Sequence, residues 1–381
     1  LQYKPAAQFI LGNLQRIFEK IDENSEEARL DLKLPFEVWG RRRGYLKIGG
    51  FQDRVLRRFD QNTFSNFADP NFFLPGQYDE LDWSQSWNFV DHPISAAETD
   101  VDYEGRQTLR AGYLMAELPL LQRVKLLGGL RVESTQIQIV NAPEANAPWI
   151  PPGQFGIAQL LPGAADVDFR QQNVLPAYGL DIDPVDSVKL RFAYGETVAR
   201  QTFRELSPIF QQEYLGGPIF VGNPSLEMSS VRNFDVRLDW TPYEGGLLSA
   251  SWFKKDIEKP IEYVEKLGQY TFTTAVNFPR GTMSGIELET RQALGRFWAP
   301  LDGFSIGANG TWIDASVRLP ENEILAFEQL HGVRPQPTRD MTNTPDWLYN
   351  LFGSWDFAPT GTSVGLFYTV TGDTLVQGPG P

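Results

Sequence analysis

The chain contains no cysteine and only two histidines, His92 and His331, among its 381 residues. The first absence removes disulfide frameworks, thiolate zinc sites and thiol nucleophiles. The second argues against a histidine triad or a two-histidine metal centre, because the two lie far apart in loop-like sequence. Gly-rich phosphate loops, HExxH and GxSxG patterns are also missing, so the reading is of a protein that is not an enzyme and needs no cofactor. No run of roughly 18 apolar residues occurs, which excludes a transmembrane helix. Basic residues are in deficit: 34 Lys and Arg face 48 Asp and Glu, for a net charge of −14. Nucleic acid is therefore excluded as a partner, since phosphate neutralisation calls for clustered cations. The one basic run, Arg41-Arg42-Arg43, sits beside a turn and fits a solvated turn. Position 1 is Leu, and the abrupt start "LQYKPAAQFI" reads as internal to a longer protein, so a missing targeting segment carries no weight.

What the sequence has instead is alternation. In 222–240, "GNPSLEMSSVRNFDVRLDW", turn residues give way to Phe234, Val236, Leu238 and Trp240 on one parity and Asn233, Asp235, Arg237 and Asp239 on the other. "VKLRFAYGE" (188–196), "FSIGANGTW" (304–312) and "SVGLFYTV" (363–370) behave similarly. This period of two predicts strands with one apolar face. Strand-like stretches fall at 8–21, 27–36, 44–60, 106–117, 123–140, 168–182, 187–199, 231–241, 247–258, 271–278 leading into 283–293, 303–315, 347–357 and 362–375. The count is about 13, and the chain is all-β.

Alternation alone does not separate a barrel in lipid from a soluble sandwich. Connection lengths do. The connections 37–43, 118–122, 183–186, 242–246, 294–302 and 358–361 are short, while 61–105, 141–167, 200–230, 259–270 and 316–346 are longer. Short turns at one end of every hairpin and long loops at the other are the layout of a transmembrane antiparallel β-barrel. Aromatic pairs beside the short turns (Phe36 and Trp39, Trp240 and Tyr243, Phe297 and Trp298, Trp355 and Phe357) suit a membrane–water interface. The apolar parity is expected to face lipid. The opposite parity, with Arg131, Glu133, Lys189, Arg191, Asp235, Arg237, Asp239, Glu287, Glu289 and Arg291, is expected to face a wet lumen.

Several stretches resemble the barrel of TonB-dependent outer-membrane receptors: "NVLPAYGLDIDPVDSVKLRFAYGETVARQTFRELSP", "GNPSLEMSSVRNFDVRLDWTPYEGGLLSASWFKKDIEKPIE", "NFPRGTMSGIELETRQAL" and "LDGFSIGANGTWIDASV". The ordered set is specific, and it is strongest over 170–315. The resemblance implies a barrel of about 22 strands in the outer membrane of a Gram-negative-type bacterium. It further implies a lumen filled by an N-terminal plug, short periplasmic turns, long extracellular loops and import driven through TonB. The implied cargo is a scarce small ligand, foremost a ferric siderophore. With about 13 strands and no plug or TonB box in view, the chain is expected to be a single partial barrel domain with two unpaired edges and no transport activity on its own. TonB would engage the missing plug region, and outer-membrane lipid the wall. The alternatives are a soluble β-rich glycan-binding module and a passive porin.

Ligand contacts are expected from long loops and nearby lumen wall. Trp149 and Phe155, in a Pro- and Gly-rich loop, have rings suited to stacking on a siderophore or sugar, although self-packing of the loop is the commoner use. Arg200 and Arg204 flank the mouth end of a strand and suit an anionic chelate, with pairing to Glu205 or Glu213 the plainer use. In the acidic segment 77–104, Asp100, Asp102 and Glu104 are a calcium candidate set against a simple solvated loop. Glu287 and Glu289 share a strand face, but two same-face acids in a wet barrel do not make a glycosidase.

Overall fold

The computed structural model describes residues 15–38, 42–66, 94–96, 98–152, 154, 156–212, 219–267 and 271–379. The first hairpin is β1 (Gln15–Val38) and β2 (Arg42–Asn66), with the three-residue β3 (Ile94–Ala96) against the end of β2. The next is β4 (Val101–Leu121) and β5 (Val124–Pro143), followed by the minimal pair β6 (Pro148–Trp149) and β7 (Ala158–Gln159). Then come β8 (Val167–Val185) and β9 (Val188–Ala199), the short strands β10 (Phe210–Gln212) and β11 (Ile219–Val221), and the hairpin β12 (Ser229–Trp240) and β13 (Gly246–Glu258). β14 (Ile261–Leu267) and β15 (Thr271–Asn277) precede β16 (Arg280–Ala293) and β17 (Phe304–Arg318). The chain closes with β18 (Thr338–Asp340), β19 (Trp347–Phe357), β20 (Thr362–Thr371) and β21 (Gly378–Pro379).

Twelve of these strands form one antiparallel wall, in the order β1-β2-β4-β5-β8-β9-β12-β13-β16-β17-β19-β20. The wall is open, because β1 and β20 are its two ends and do not pair with each other among the described residues. Twelve replaces the expected thirteen because 15–38 is one strand, not two. Its middle, Asp22 to Glu27, is polar on both parities and so reads as a break, yet it pairs residue by residue with Asp53 to Arg58. That stretch lies beyond the apolar part of the wall, where both faces meet water and alternation is not required. The stretch 271–278 is also not wall; it belongs to a separate sheet.

Register sorts side chains by face. One outward row runs Phe192, Val236, Trp252, Ile286, Trp312, Trp347, each residue directly opposite the next. Leu30, Leu32, Ile48, Leu114, Leu130 and Val174 continue the outward face on the other half of the wall. Most of these side chains are exposed, Leu30 at 79%, with Val236 and Trp347 half-buried, and a contiguous apolar band of this extent is stable only against hydrocarbon. The inner face carries the row Asp239, Ser249, Glu289, Asn309, Asn350, Thr369. Its members are linked: Ser249 donates to Asp239 (2.7 Å), Asn350 to Asn309 (2.8 Å) and Thr369 to Asn350 (2.7 Å). Arg237 spans Asp239 (2.8 Å) and Glu289 (2.9 Å), and Arg191 reaches Asp239 (3.2 Å).

Two rows of aromatic rings bound the apolar band. Near the short turns, Phe304 stacks on Trp355 (5.4 Å) and Tyr243 meets Phe297 edge-on (5.6 Å). Toward the long loops lie Tyr178 against Tyr194 (6.3 Å), Tyr194 against Phe234 (5.0 Å) and Trp312 against Tyr349 (5.4 Å). On β17, Phe304 and Trp312 are eight positions apart, about 26 Å of strand. A tilt of about 40° shortens this to about 20 Å, close to the apolar height of an outer-membrane barrel.

At the long-loop end the connections are folded. A five-stranded sheet, β10-β11-β15-β14-β21, packs with the short helix Phe203–Leu206 on the upper inner wall. A buried cluster including Phe59, Tyr103, Ile137, Ile139, Phe203, Leu206 and Phe220 joins them. An 11-residue helix, Glu321–His331, occupies the connection before β18, where the sequence had shown no helical period.

Candidate functional site

The inner wall just below this cap brings charged and aromatic groups together. Phe59 on β2 and Tyr103 on β4 stand opposite each other and their rings stack at 5.2 Å. Gly105, the next inward position on β4, has no Cβ, and one placed there would stand 2.6 Å from the ring of Phe203. The missing side chain is what lets the short helix lie flat on the wall. That helix starts with a capping box: Glu205 N–H donates to the Thr202 hydroxyl and Thr202 N–H donates to the Glu205 carboxylate (2.7 Å). Tyr263 of β14 donates to the other oxygen of Glu205 at 2.9 Å. Burial, then the neighbouring Glu205 charge, push the Tyr263 hydroxyl up to about 12, so it stays a donor.

A cavity of about 410 Å³ lies between β1, the Phe59–Tyr103 pair and the cap, lined by Glu19, Arg57, Phe59, Tyr103, Arg204 and Gln211 among others. Arg57 pairs with Glu23 (2.5 Å) and lies 5.4 Å from the centre of the Phe203 ring. Arg204 lies 4.8 Å from the centre of the Phe220 ring. Rings behind both guanidinium groups favour positive charge on this face of the cavity, and Arg57 already holds Glu23 through its Nε and Nη2 edge. On its far side the cap is anchored by Glu262, 1% exposed, which accepts from Arg339 (2.8 Å) and from the Thr342 N–H (3.1 Å). Burial raises the Glu262 carboxyl above its ordinary value.

The residues singled out from sequence fall as follows. Arg204 lines the cavity. Arg200 does not; its guanidinium pairs with Glu133 on β5 and donates to the Thr135 hydroxyl (3.1 Å). Glu133 also takes Arg131 (2.8 Å), so the three form one ionic link between the loop and the wall, centred on the buried Glu133. Trp149 is half-buried against the apolar cluster. Phe155 lies outside the described residues, as do Trp39, His92 and the acidic positions between 79 and 91. Asp100 accepts from Gln61 (2.8 Å) and Thr63 (2.7 Å), and Asp102 from the Gln61 N–H (2.9 Å). Glu104, on the opposite parity from the cavity, pairs with Arg58 (3.2 Å) and Arg106 (2.5 Å). The three carboxylates are thus engaged with wall partners. Among the described residues no group of three or more His, Asp or Glu side chains is placed to hold a metal ion.

Sequence reasoning missed Arg57, Phe59 and Tyr103. Phe59 and Tyr103 sit on the inward parity while Asp102, Glu104 and Arg106 take the outward one, and that inversion of the pattern near the loop end was the available signal.

Comparison with known proteins agrees with this architecture. The family described as TonB dependent receptor-like, beta-barrel matches residues 15–380. No curated protein matches the chain. Among solved structures, the alcaligin outer-membrane receptor FauA of Bordetella pertussis aligns over 93% of this chain and 47% of its own, at 14% identity and TM-score 0.53. The unliganded ferric citrate transporter FecA aligns over 94% and 43%, at 11% identity and TM-score 0.56. The siderophore receptor PiuA of Acinetobacter baumannii aligns over 92% and 46%, at 13% identity and TM-score 0.54. The chain spans less than half the length of these structures.

Proposed function

Because the chain belongs to the TonB-dependent receptor β-barrel family, we propose that it is part of the wall and outer cap of an outer-membrane receptor that imports a ferric siderophore with energy from TonB. The family and its structural neighbours are receptors and transporters rather than enzymes. The observation that carries the reading is the cavity under the cap. It joins two guanidinium groups, Arg57 and Arg204, to the stacked rings of Phe59 and Tyr103, above a polar inner wall. A ferric chelate with anionic oxygens is complementary to the positive charge of that set, while the buried Phe59 and Tyr103 rings hold the cavity wall in shape. Arg204 is the direct contact among the residues named from sequence. Arg200 and Trp149 act through position, the first by fixing the loop to Glu133, the second by filling the loop core. TonB would act on a plug lodged inside the wall, and the wall would meet lipid with its outer face.

The test is uptake of radiolabelled iron by a siderophore-deficient strain carrying the full receptor gene, with and without TonB, over a panel of ferric siderophores. Uptake of one chelate that needs TonB and drops tenfold or more in Arg57→Ala with Arg204→Ala supports the reading. Equal uptake without TonB indicates a passive pore and overturns it. Saturable, TonB-dependent uptake that ignores both arginines moves the site elsewhere.

A further inference from the structure

The outer face of the wall is not uniformly filled. An open-sided groove of about 750 Å³ runs across β13, β16, β17 and β19. Register explains it. The rows Leu248–Thr290–Ala308–Leu351 and Ala250–Leu288–Gly310–Tyr349 place Ala250, Thr290, Ala308 and Gly310 side by side. Ala250, Thr290 and Ala308 make a sunken floor and Gly310 is buried beneath the Tyr349 ring, while Leu238 and Trp240 stand on one rim and Tyr349 and Tyr368 on the other. Gly310 is required there: a Cβ would lie 2.8 Å from the Tyr349 ring and 3.3 Å from Trp312. Trp312 and Trp347, directly opposite each other, close the upper end of the groove at the loop-side aromatic row.

We propose that this groove is a binding site for one acyl chain of an outer-membrane lipid. Three features select that occupant. The groove is continuous with the apolar band and lies between its two aromatic rows, so its open side faces hydrocarbon. Its lining is apolar apart from the ring tips and the Thr290 hydroxyl, which already accepts from Gln292 (3.0 Å), so water finds few partners on the floor, and an unfilled groove would forfeit the contacts of its lining atoms. Trp312 and Trp347, with Tyr349 one inter-strand row below, lie at the upper end, the height at which a lipid's ester carbonyls meet the N–H and O–H groups of interfacial rings. A chain entering from the loop side thus has its polar end beside donors and its methylenes on Ala308, Thr290 and Ala250. A lipid held this way is retained through delipidation, unlike lipid that only surrounds the wall.

The test uses the full receptor, delipidated in mild detergent, given phosphatidylethanolamine and weighed intact by native mass spectrometry. The expected result is a single retained lipid in the unsubstituted protein. Retention should fall at least tenfold in Ala250→Phe with Ala308→Phe, and stay unchanged in Val132→Phe on the outer face outside the groove. Equal retention in all three, no retention in any, or a protein dimer abolished by the groove substitutions overturns the proposal. Heat-modifiable gel migration confirms that the variants fold. Independently of any variant, phosphatidylethanolamine with brominated chains should quench the unsubstituted protein's tryptophan emission with a component that saturates at one lipid per protein. Quenching that only follows the bulk fraction of brominated lipid contradicts it.

Discussion

Tyr263 of the small sheet donates a hydrogen bond to Glu205 of the short helix at 2.9 Å, across 58 residues of chain. That single contact fastens two connections into one cap, together with the Phe220–Tyr263 ring contact at 5.6 Å. Tyr263→Phe keeps the ring and deletes the donor, leaving the largely buried Glu205 carboxylate short of one partner. The expected cost is about 1–3 kcal/mol of local stability. Hydrogen exchange should speed up in 201–228 and 261–277 while the wall strands stay protected.

The Tyr263 hydroxyl also sets an upper pH limit. Its value in the fold is raised to about 12 from about 10, so the folded state holds the proton more tightly than the unfolded one. The contact is complete below about pH 10 and is lost as pH rises through about 12. Alkaline titration followed by exchange at 201–228 should show this loss, and Tyr263→Phe should not.

Glu323, on the loop helix, titrates in the opposite range. Burial raises its carboxyl to about 7, against the opposing charges of Arg339 and Lys266. Between the unfolded value near 4.5 and about 7 the packed helix binds more protons than the detached one, so packing strengthens as pH falls from 8 to 5. Exchange of amides 321–331 should slow over that interval beyond the intrinsic pH effect. Glu323→Gln should flatten the response, and a wild-type response that is flat or reversed would contradict the assignment.

Gly105 and Phe203 provide a test of how the cap is seated. Gly105→Val puts a branched side chain where the Phe203 ring lies, so the short helix must lift, at a cost of about 1–3 kcal/mol. Ligand affinity should fall with it. Adding Phe203→Ala should recover part of the loss, because the two side chains compete for one volume. A strictly additive double variant would show that the ring does not rest on Gly105.

How much of this was legible in the sequence depends on where each residue lies relative to the apolar band. Phe234 to Trp240 announced the wall by alternation, because lipid and lumen impose opposite demands on successive residues. Asp22 to Glu27 gave no such signal and split β1 in two on reading. The loop-side aromatic row went unread: Tyr178, Tyr194, Phe234 and Trp312 come together only through register, although the eight-residue spacing from Phe304 to Trp312 held the clue. The helix Glu321–His331 has little apolar patterning, with Ile324 its most buried side chain. Arg200 lies just past the end of β9 and Glu133 on β5, which is not a neighbour of β9 in the wall, a pairing that no local pattern encodes. Fold class is written in the period of two; the cap and its cavity are written in contacts between distant loops.

The central claim is that one parity of the wall meets lipid and the other meets water. Because the chain has no cysteine, single cysteines can be introduced at each position from Asn233 to Asp239 of the full receptor in vesicles and spin-labelled. Collision rates with oxygen, which concentrates in lipid, and with a water-soluble nickel chelate then report the surroundings of each label. A period of two is expected, with Phe234→Cys, Val236→Cys and Leu238→Cys favouring oxygen and Asn233→Cys, Asp235→Cys, Arg237→Cys and Asp239→Cys favouring nickel. Uniform access to nickel at all seven positions, or alternation in the reverse phase, would contradict it.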